Sequence, residues 1–241
     1  YGAAYFAQHM LAARGEELRG KTCLVSGAGN VAIYTIEKLH QLDALPVTCS
    51  DSGGCLHDPD GIDLEALKRL KEVERVSLEG YLKDHPRARF IALDDYPADG
   101  HAVWRIPGQV AFPCATQGEV TLADAEAMLA NGLECLCEGA NLPTLPLAVD
   151  RLLEARIAYA PGKAANAGGV STSQLEMAQN ASMQIWPLEK VDAHLQAIMA
   201  NIHRCCASTA EEFGEPHNLV LGANIAGFRR VANAMIDQGA W

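Results

Sequence analysis

The 241-residue chain is predicted to fold as a doubly wound, mostly parallel α/β sheet followed by an all-helical C-terminal extension. Three observations predict this. Short apolar or β-branched runs alternate with helical repeats from residue 21 to residue 160, the pattern of parallel strands joined by crossover helices. A glycine turn, Gly27-Ala-Gly-Asn-Val-Ala32, lies between the first such run and the helical repeat after it. Beyond Asn166 the alternation stops and only the helical period remains.

In chain order, Tyr5, Phe6, His9, Met10 and Ala13 recur on one face and predict a helix over residues 1–14, stopped at Gly15. Thr22 to Ser26 is the first strand. The helix after the glycine turn ends near Asp43, with Val31, Ile33 or Tyr34, and Leu39 as its apolar face. Residues 46–50 are the second strand, and the turn-rich stretch Asp51 to Gly61 is expected to be a loop. Helices follow over 62–74 and 77–84, then a short strand at 89–93. Asp94 to Pro107 reads as an excursion before the strand Val110 to Cys114. Thr121 caps a helix that Asn131-Gly132 ends. A strand at 134–137, a proline-started helix at 143–155 and a last strand at 157–160 complete the core. Ala167-Gly168-Gly169 is expected to be a turn, followed by helices to about Trp186, from Glu189 to Phe213, and from about 219 onward. This gives one domain in three parts: an N-terminal helix over 1–20, a core over 21–166 and a helical extension over 167–241.

The glycine turn carries the chemistry. In the context strand, turn, helix, the pattern G-x-G-x-x-A marks a dinucleotide site. Gly27 allows the tight turn, Gly29 lets backbone approach a pyrophosphate, and Ala32 lets helix and strand pack closely. The helix start offers free N–H groups and a positive dipole end. Asp51 follows the second strand about twenty residues on, where a ribose-binding carboxylate belongs. In a doubly wound sheet, ligands bind outside the carboxyl ends of the strands. Gly27 to Asn30, Asp51, Ala115 to Gln117, Asn141 and Lys163 to Asn166 all fall at such ends.

Composition narrows the partners. A formal net charge of −11 argues against nucleic acid and anionic membrane surfaces. No apolar run approaches the ~18 residues of a membrane span, and no secretory signal is recognisable, so a soluble cytoplasmic protein is expected. The eight cysteines form no C-x-x-C pair and are read as buried, reduced thiols. The eight histidines show no ligand spacing, so no metal site is expected. The chain opens at Tyr1 inside a helical pattern and reads as a piece of a longer protein.

The stretch Ala160-Pro-Gly-Lys-Ala-Ala-Asn-Ala-Gly-Gly-Val-Ser-Thr-Ser-Gln-Leu-Glu-Met-Ala-Gln-Asn180 closely resembles the hexameric glutamate dehydrogenases. So do Pro113-Cys-Ala-Thr-Gln117, Glu138-Gly-Ala-Asn141 and Gly222-Ala-Asn-Ile-Ala-Gly-Phe228. The resemblance covers only the cofactor-binding, Rossmann-like half. It implies reversible deamination of L-glutamate to 2-oxoglutarate and ammonia, with NADP or NAD as cofactor. Gly27, Gly29, Asn30 and Val31 would meet the pyrophosphate, and Asp51 and Ser52 would sit near the adenosine ribose. Ala115, Thr116 and Gln117 would line the cofactor's path, and Asn141 and Asn166 would contact the nicotinamide end. Val170 and Ser173 would face the glutamate side chain, with Ser173 on its γ-carboxylate. In the family the catalytic lysine and aspartate belong to an N-terminal domain outside this sequence, so no catalytic residue is expected here. The resemblance further implies a homo-hexamer for the full-length protein, and cofactor binding without turnover for this piece. Helices 1–14 and 219–239 are then expected to lack packing partners.

Other readings stay open at this point. Ser50-Asp-Ser52-Gly resembles the NADP-dependent bacterial members, whereas an acid at Asp51 favours NAD by binding the ribose 2′-OH and repelling a 2′-phosphate. Lys68, Arg69, Lys71 and Arg75 follow, and none can be matched to a phosphate-holding role. Ser173-Gln-Leu-Glu176 also fits a helix capping box. Asn141 and Asn166 also fit left-handed turn positions, and Lys163 a solvated lysine. A leucine, valine or phenylalanine dehydrogenase and a stand-alone dinucleotide sensor are the alternative functions.

Overall fold

In the computed structural model, which describes residues 1–239, eight strands occur in chain order. They are β1 (Thr22–Val25), β2 (Leu45–Pro46), β3 (Thr48–Asp51), β4 (Gly54–His57), β5 (Arg89–Ala92), β6 (Val110–Phe112), β7 (Cys135–Cys137) and β8 (Ala158–Ala160). The helices are α1 (Gly2–Ala12), α2 (Asn30–Gln41), α3 (Leu64–Lys68), α4 (Leu122–Ala130), α5 (Pro146–Glu154), α6 (Gly162–Ala165), α7 (Ala167–Ser182), α8 (Leu188–Glu212) and α9 (Leu219–Asp237).

Five strands form an all-parallel sheet in the order β2-β1-β6-β7-β8. Such strands are covered on both faces and read as continuous apolar runs. Cys23, Val25, Val110, Phe112, Cys135 and Cys137 face one core with Phe6, Ile33, Ile36 and Met199. Leu24, Ala111 and Leu136 face the other with Trp104, Met128 and Leu152. Helices thus cover both faces, as expected of a doubly wound sheet. The chain leaves β1 toward β2 on one side and returns to β6 on the other. This reversal opens a crevice at the carboxyl ends of β1 and β6.

The expected second strand over 46–50 is divided. Leu45–Pro46 pairs with β1, and the chain then leaves the parallel sheet. β3 folds back on β4 in antiparallel register, Asp51 opposite Gly54, through the two-residue turn Ser52-Gly53. β5 joins β4 rather than the main sheet. Residues 51–61 are therefore not simply a loop, and the strand expected at 89–93 belongs to a separate three-stranded antiparallel sheet. Gly54 permits this, since it holds φ +155° and a Cβ there would run into the Ile91 carbonyl.

Three further expectations are corrected. Ala167-Gly168-Gly169 is not a turn but the first turn of α7. Gly168 lies so close to Gly2 that a Cβ would sit 2.7 Å from the Gly2 Cα, so these glycines let α7 cross α1. Helix α2 buries Ala32, Ile33, Ile36 and Leu39, while Val31 and Tyr34 face outward. Helix α1 does not lack partners, for Ala4, Phe6, Ala7 and Leu11 are wholly buried. The outer face of α9 is bare, with Phe228, Val231 and Met235 exposed.

Gly54→Ala should destabilise the protein by about 1–3 kcal/mol, read as a lower urea midpoint at unchanged slope, because the clash cannot relax without moving β5. An unchanged midpoint would show that the hairpin does not depend on this contact.

Candidate functional site

Side-chain hydroxyls clamp the turn after β1. Where β3 swings out of the parallel sheet, Thr48 takes over the missing ladder: its Oγ1 accepts from Val25 N at 2.8 Å and donates to Val25 O at 3.0 Å. Ser50 Oγ accepts from Gly27 N at 2.9 Å, and Ser50 N donates to Gly27 O at 3.1 Å. From the other side, Ser26 Oγ accepts from Cys114 N at 2.8 Å. All three hydroxyl residues are buried. Gly27, at φ +84°, has its N–H committed to Ser50, and a Cβ would lie 3.0 Å from the Cys114 carbonyl. It builds the turn.

Gly29, Asn30 and Val31 are open. A Cβ on Gly29 would meet no protein atom within 4 Å. Gly29 caps α2 with extended backbone, and among the described residues no side chain caps the helix. Asn30 and Val31 are exposed in its first turn. Uncapped amides at a helix start are a ready anion site.

On the neighbouring strand end, Ala115, Thr116 and Gln117 are exposed in the loop after β6. Glu119 shapes this loop, its Oε1 accepting from the amides of Ala115 at 3.0 Å and Thr116 at 3.2 Å. Its Oε2 is shielded from solvent and has no partner among the described residues. Burial raises the Glu119 carboxyl above its ordinary range, and the Ser26 hydroxyl and the two amides offset this only in part. Cys114 borders the same cleft, but burial pushes its thiol up to about 12, so it stands there as a neutral group.

At the ends of β7 and β8, Asn166 Nδ2 donates to Asn141 Oδ1 at 2.7 Å. Among the described residues, the Asn141 side-chain amino group and the Asn166 side-chain oxygen have no hydrogen-bond partner. Neither residue holds the left-handed turn conformation; that falls to Leu142, at φ 49°. Buried Glu138 ties the two strand ends, accepting from Tyr159 OH and from Gly162 N, each at 2.6 Å. Lys163 donates to Asn224 on α9 at 2.6 Å. Ser173 lies inside α7, where its Oγ meets the Gly169 carbonyl at 3.4 Å. The capping-box reading of Ser173-Gln-Leu-Glu176 therefore fails, because the helix starts about two turns earlier, with Asn166 as its N-cap.

One cleft of about 590 Å³ collects Val31, Ala115, Gln117, Asn141, Asn166 and Val170, with Gly139 at its base. A hollow of about 240 Å³ adjoins it through Val31 and Asn166 and adds Asn30. Thr116 stands beside the cleft and Gly29 at its helix start. Asp51 and Ser52 lie apart from it, at the tip of the β3–β4 hairpin, and Ser173 lies on the next turn of α7.

The model of the Glutamate/Leucine/Phenylalanine/Valine dehydrogenase family matches residues 1–239. The chain belongs to this family. It is 55% identical over 239 residues to an NADP-specific glutamate dehydrogenase of Helicobacter pylori, covering 99% of this chain and 53% of that protein. It is 48% identical over 241 residues to an NAD(P)-specific glutamate dehydrogenase of Xylanibacter ruminicola, again covering 53% of that protein. The crystal structure of Plasmodium falciparum glutamate dehydrogenase superposes with a TM-score of 0.93 at 38% identity, over 100% of this chain and 51% of that one. The chain thus spans about half the length of the relatives it matches.

Sequence reasoning passed over Ser26, Thr48, Ser50, Glu119 and Glu138 as functional supports. Ser and Thr at strand ends carry no motif. A signal did exist for the two acids: each lies within or beside a quoted motif, next to strand-end glycines, in an otherwise apolar setting.

Ionising a buried acid costs more in the folded chain than in the unfolded one, so the parent loses stability as pH rises through the raised Glu119 value. Glu119→Gln removes that loss. The difference in Tm, variant minus parent, should grow from acid toward neutral pH and then level off; a difference that does not vary with pH contradicts the assignment.

Proposed function

We propose that this chain is the coenzyme-binding part of a glutamate dehydrogenase that uses NADP to interconvert L-glutamate with 2-oxoglutarate and ammonia. The observation that carries the reading is the meeting, on one crevice, of an uncapped helix start at Gly29 and the Asn141–Asn166 pair. The names of the relatives at 55% and 48% identity support the amino acid and the cofactor. The division into an N-terminal helix (1–20), a dinucleotide core (21–166) and a helical extension (167–241) is part of the same proposal.

The residues present fit the cofactor. The amides of Gly29, Asn30 and Val31 would hold the pyrophosphate at the positive end of α2, with Gly27 and its Ser50 clamp fixing the turn. The exposed Ala115–Gln117 loop, held by Glu119, would border the path along β6. Asn141 would donate to a carboxamide oxygen and Asn166 accept from its amino group, fixing which ring face meets the substrate. Val170 would give that face an apolar wall, and Ser173 would donate to the γ-carboxylate of glutamate. When bound, the cofactor supplies the hydride chemistry at the substrate Cα.

The proton transfers fall to a lysine and an aspartate of a separate substrate domain, whose closure would exclude water. The full-length protein is accordingly proposed to act as a homo-hexamer in the cytoplasm. Among the described residues no helix is long and apolar enough to cross a membrane.

Fluorescence titration of the full-length gene product should give tighter binding of NADPH than of NADH; the reverse order sinks the NADP assignment. Faster turnover of leucine, valine or phenylalanine than of glutamate would sink the substrate assignment. Gly29→Val should weaken NADPH at least tenfold while lowering stability by less than about 1 kcal/mol, because its side chain meets open space in the fold and only the ligand in the complex. Unchanged binding by this variant would place the pyrophosphate elsewhere.

A further inference from the structure

The hairpin tip holds an acid whose position and freedom disagree. Asp51 ends β3, where a carboxylate ordinarily hydrogen-bonds a ribose 2′-OH and repels a 2′-phosphate. Here both oxygens are already used. Oδ1 accepts from Gly53 N at 2.9 Å. Oδ2 accepts from Lys71 Nζ at 2.8 Å and from Leu78 N at 3.4 Å. The Asp51 side chain keeps only 14% of its exposure, and that of Lys71 22%.

The fold supplies this lock with several parts. Lys71 sits in a π-helical turn, Arg69–Glu74, and its Nζ also donates to Val76 O at 3.1 Å. Arg75 takes the left-handed conformation at φ 55° and sends the chain back, so that Val76 to Leu78 pass beside Asp51. Of the other cations of this stretch, Lys68 pairs with Glu37, Arg69 pairs with Asp84 at 2.9 Å and with Glu74, and Arg75 is exposed. Burial disfavours the Asp51 charge, but Lys71 and the two amides outweigh it and hold the carboxyl below its usual range. Ser52, next in the chain, is exposed at the hairpin tip and offers a hydroxyl beside a neutralised acid.

We propose that Lys71 is a cofactor-specificity residue: it draws the Asp51 carboxylate away from the ribose position and cancels its charge, so that a 2′-phosphate is accepted there. The inference rests on the proposed dinucleotide function and deepens it. It explains how an acid at the ribose position is compatible with NADP. The lock acts through charge and position, so its loss should move the choice between cofactors more than the binding of either one's shared parts.

The test uses the full-length gene product and titrates NADPH, NADH, adenosine 2′,5′-bisphosphate and AMP, the last two isolating the ribose end. Lys71→Met should cut the NADPH-over-NADH preference at least tenfold and the bisphosphate-over-AMP preference alike, with NADH affinity unchanged or tightened. Lys71→Gln, which can keep a hydrogen bond to Asp51 and with it the fold, should move both preferences in the same direction. Lys71→Arg should preserve them. Adding Asp51→Asn to Lys71→Met should recover most of the lost preference, because the harmful group is the freed carboxylate. Unchanged preferences in Lys71→Met and Lys71→Gln overturn the proposal. So does loss without recovery in the double variant, which would make Lys71 a direct phosphate ligand. If the parent binds neither dinucleotide, the functional reading beneath the proposal falls with it; if it binds both and only the preferences fail to move, that reading stands and the lock alone is wrong.

Discussion

The clamp of Ser50 and Thr48 on the end of β1 is the interaction on which the rest of the site depends. β3 has to leave the parallel sheet to form its hairpin, and leaving a sheet orphans backbone groups that are costly to bury unpaired. Two hydroxyls replace the ladder. They hold Gly27 in its positive-φ turn, which points the start of α2 at the crevice. Because the same strand runs straight on to Asp51, one clamp sets both the Gly27 turn and the β3–β4 hairpin. Ser26 extends the device across the crevice to Cys114, so the loop after β6 is registered against the same turn.

Around this clamp, charge is paired off and polarity is left free. Asp51 is bound to Lys71, Glu119 to two loop amides, Glu138 to a tyrosine and a glycine amide, and Lys163 to Asn224. What faces the cleft is backbone, three carboxamides, the neutral Cys114 thiol and apolar surface.

The positions found by sequence reasoning cluster well but not completely. Val31, Ala115, Gln117, Asn141, Asn166 and Val170 share one cleft, because they follow strand ends of one parallel sheet or stand at the start of α7. Asp51 and Ser52 do not, since the hairpin carries them off the sheet. Ser173 was legible as a residue of interest yet not as a mid-helix one, because the glycines before it look like a turn in one dimension. Gly168 is small for a different reason: α1 crosses there, and a Cβ would sit 2.7 Å from the Gly2 Cα.

The sequence by itself determined the parallel core, the glycine turn and the helical extension. These follow from local periodicity and from conformations that only certain residues adopt. The tertiary structure alone decided that β3 to β5 form a second sheet, that α7 begins at the glycine pair, and that Asp51 is spent on Lys71. Each of these depends on a partner distant in the chain or on a backbone crossing, and neither leaves a periodic trace in the order of residues.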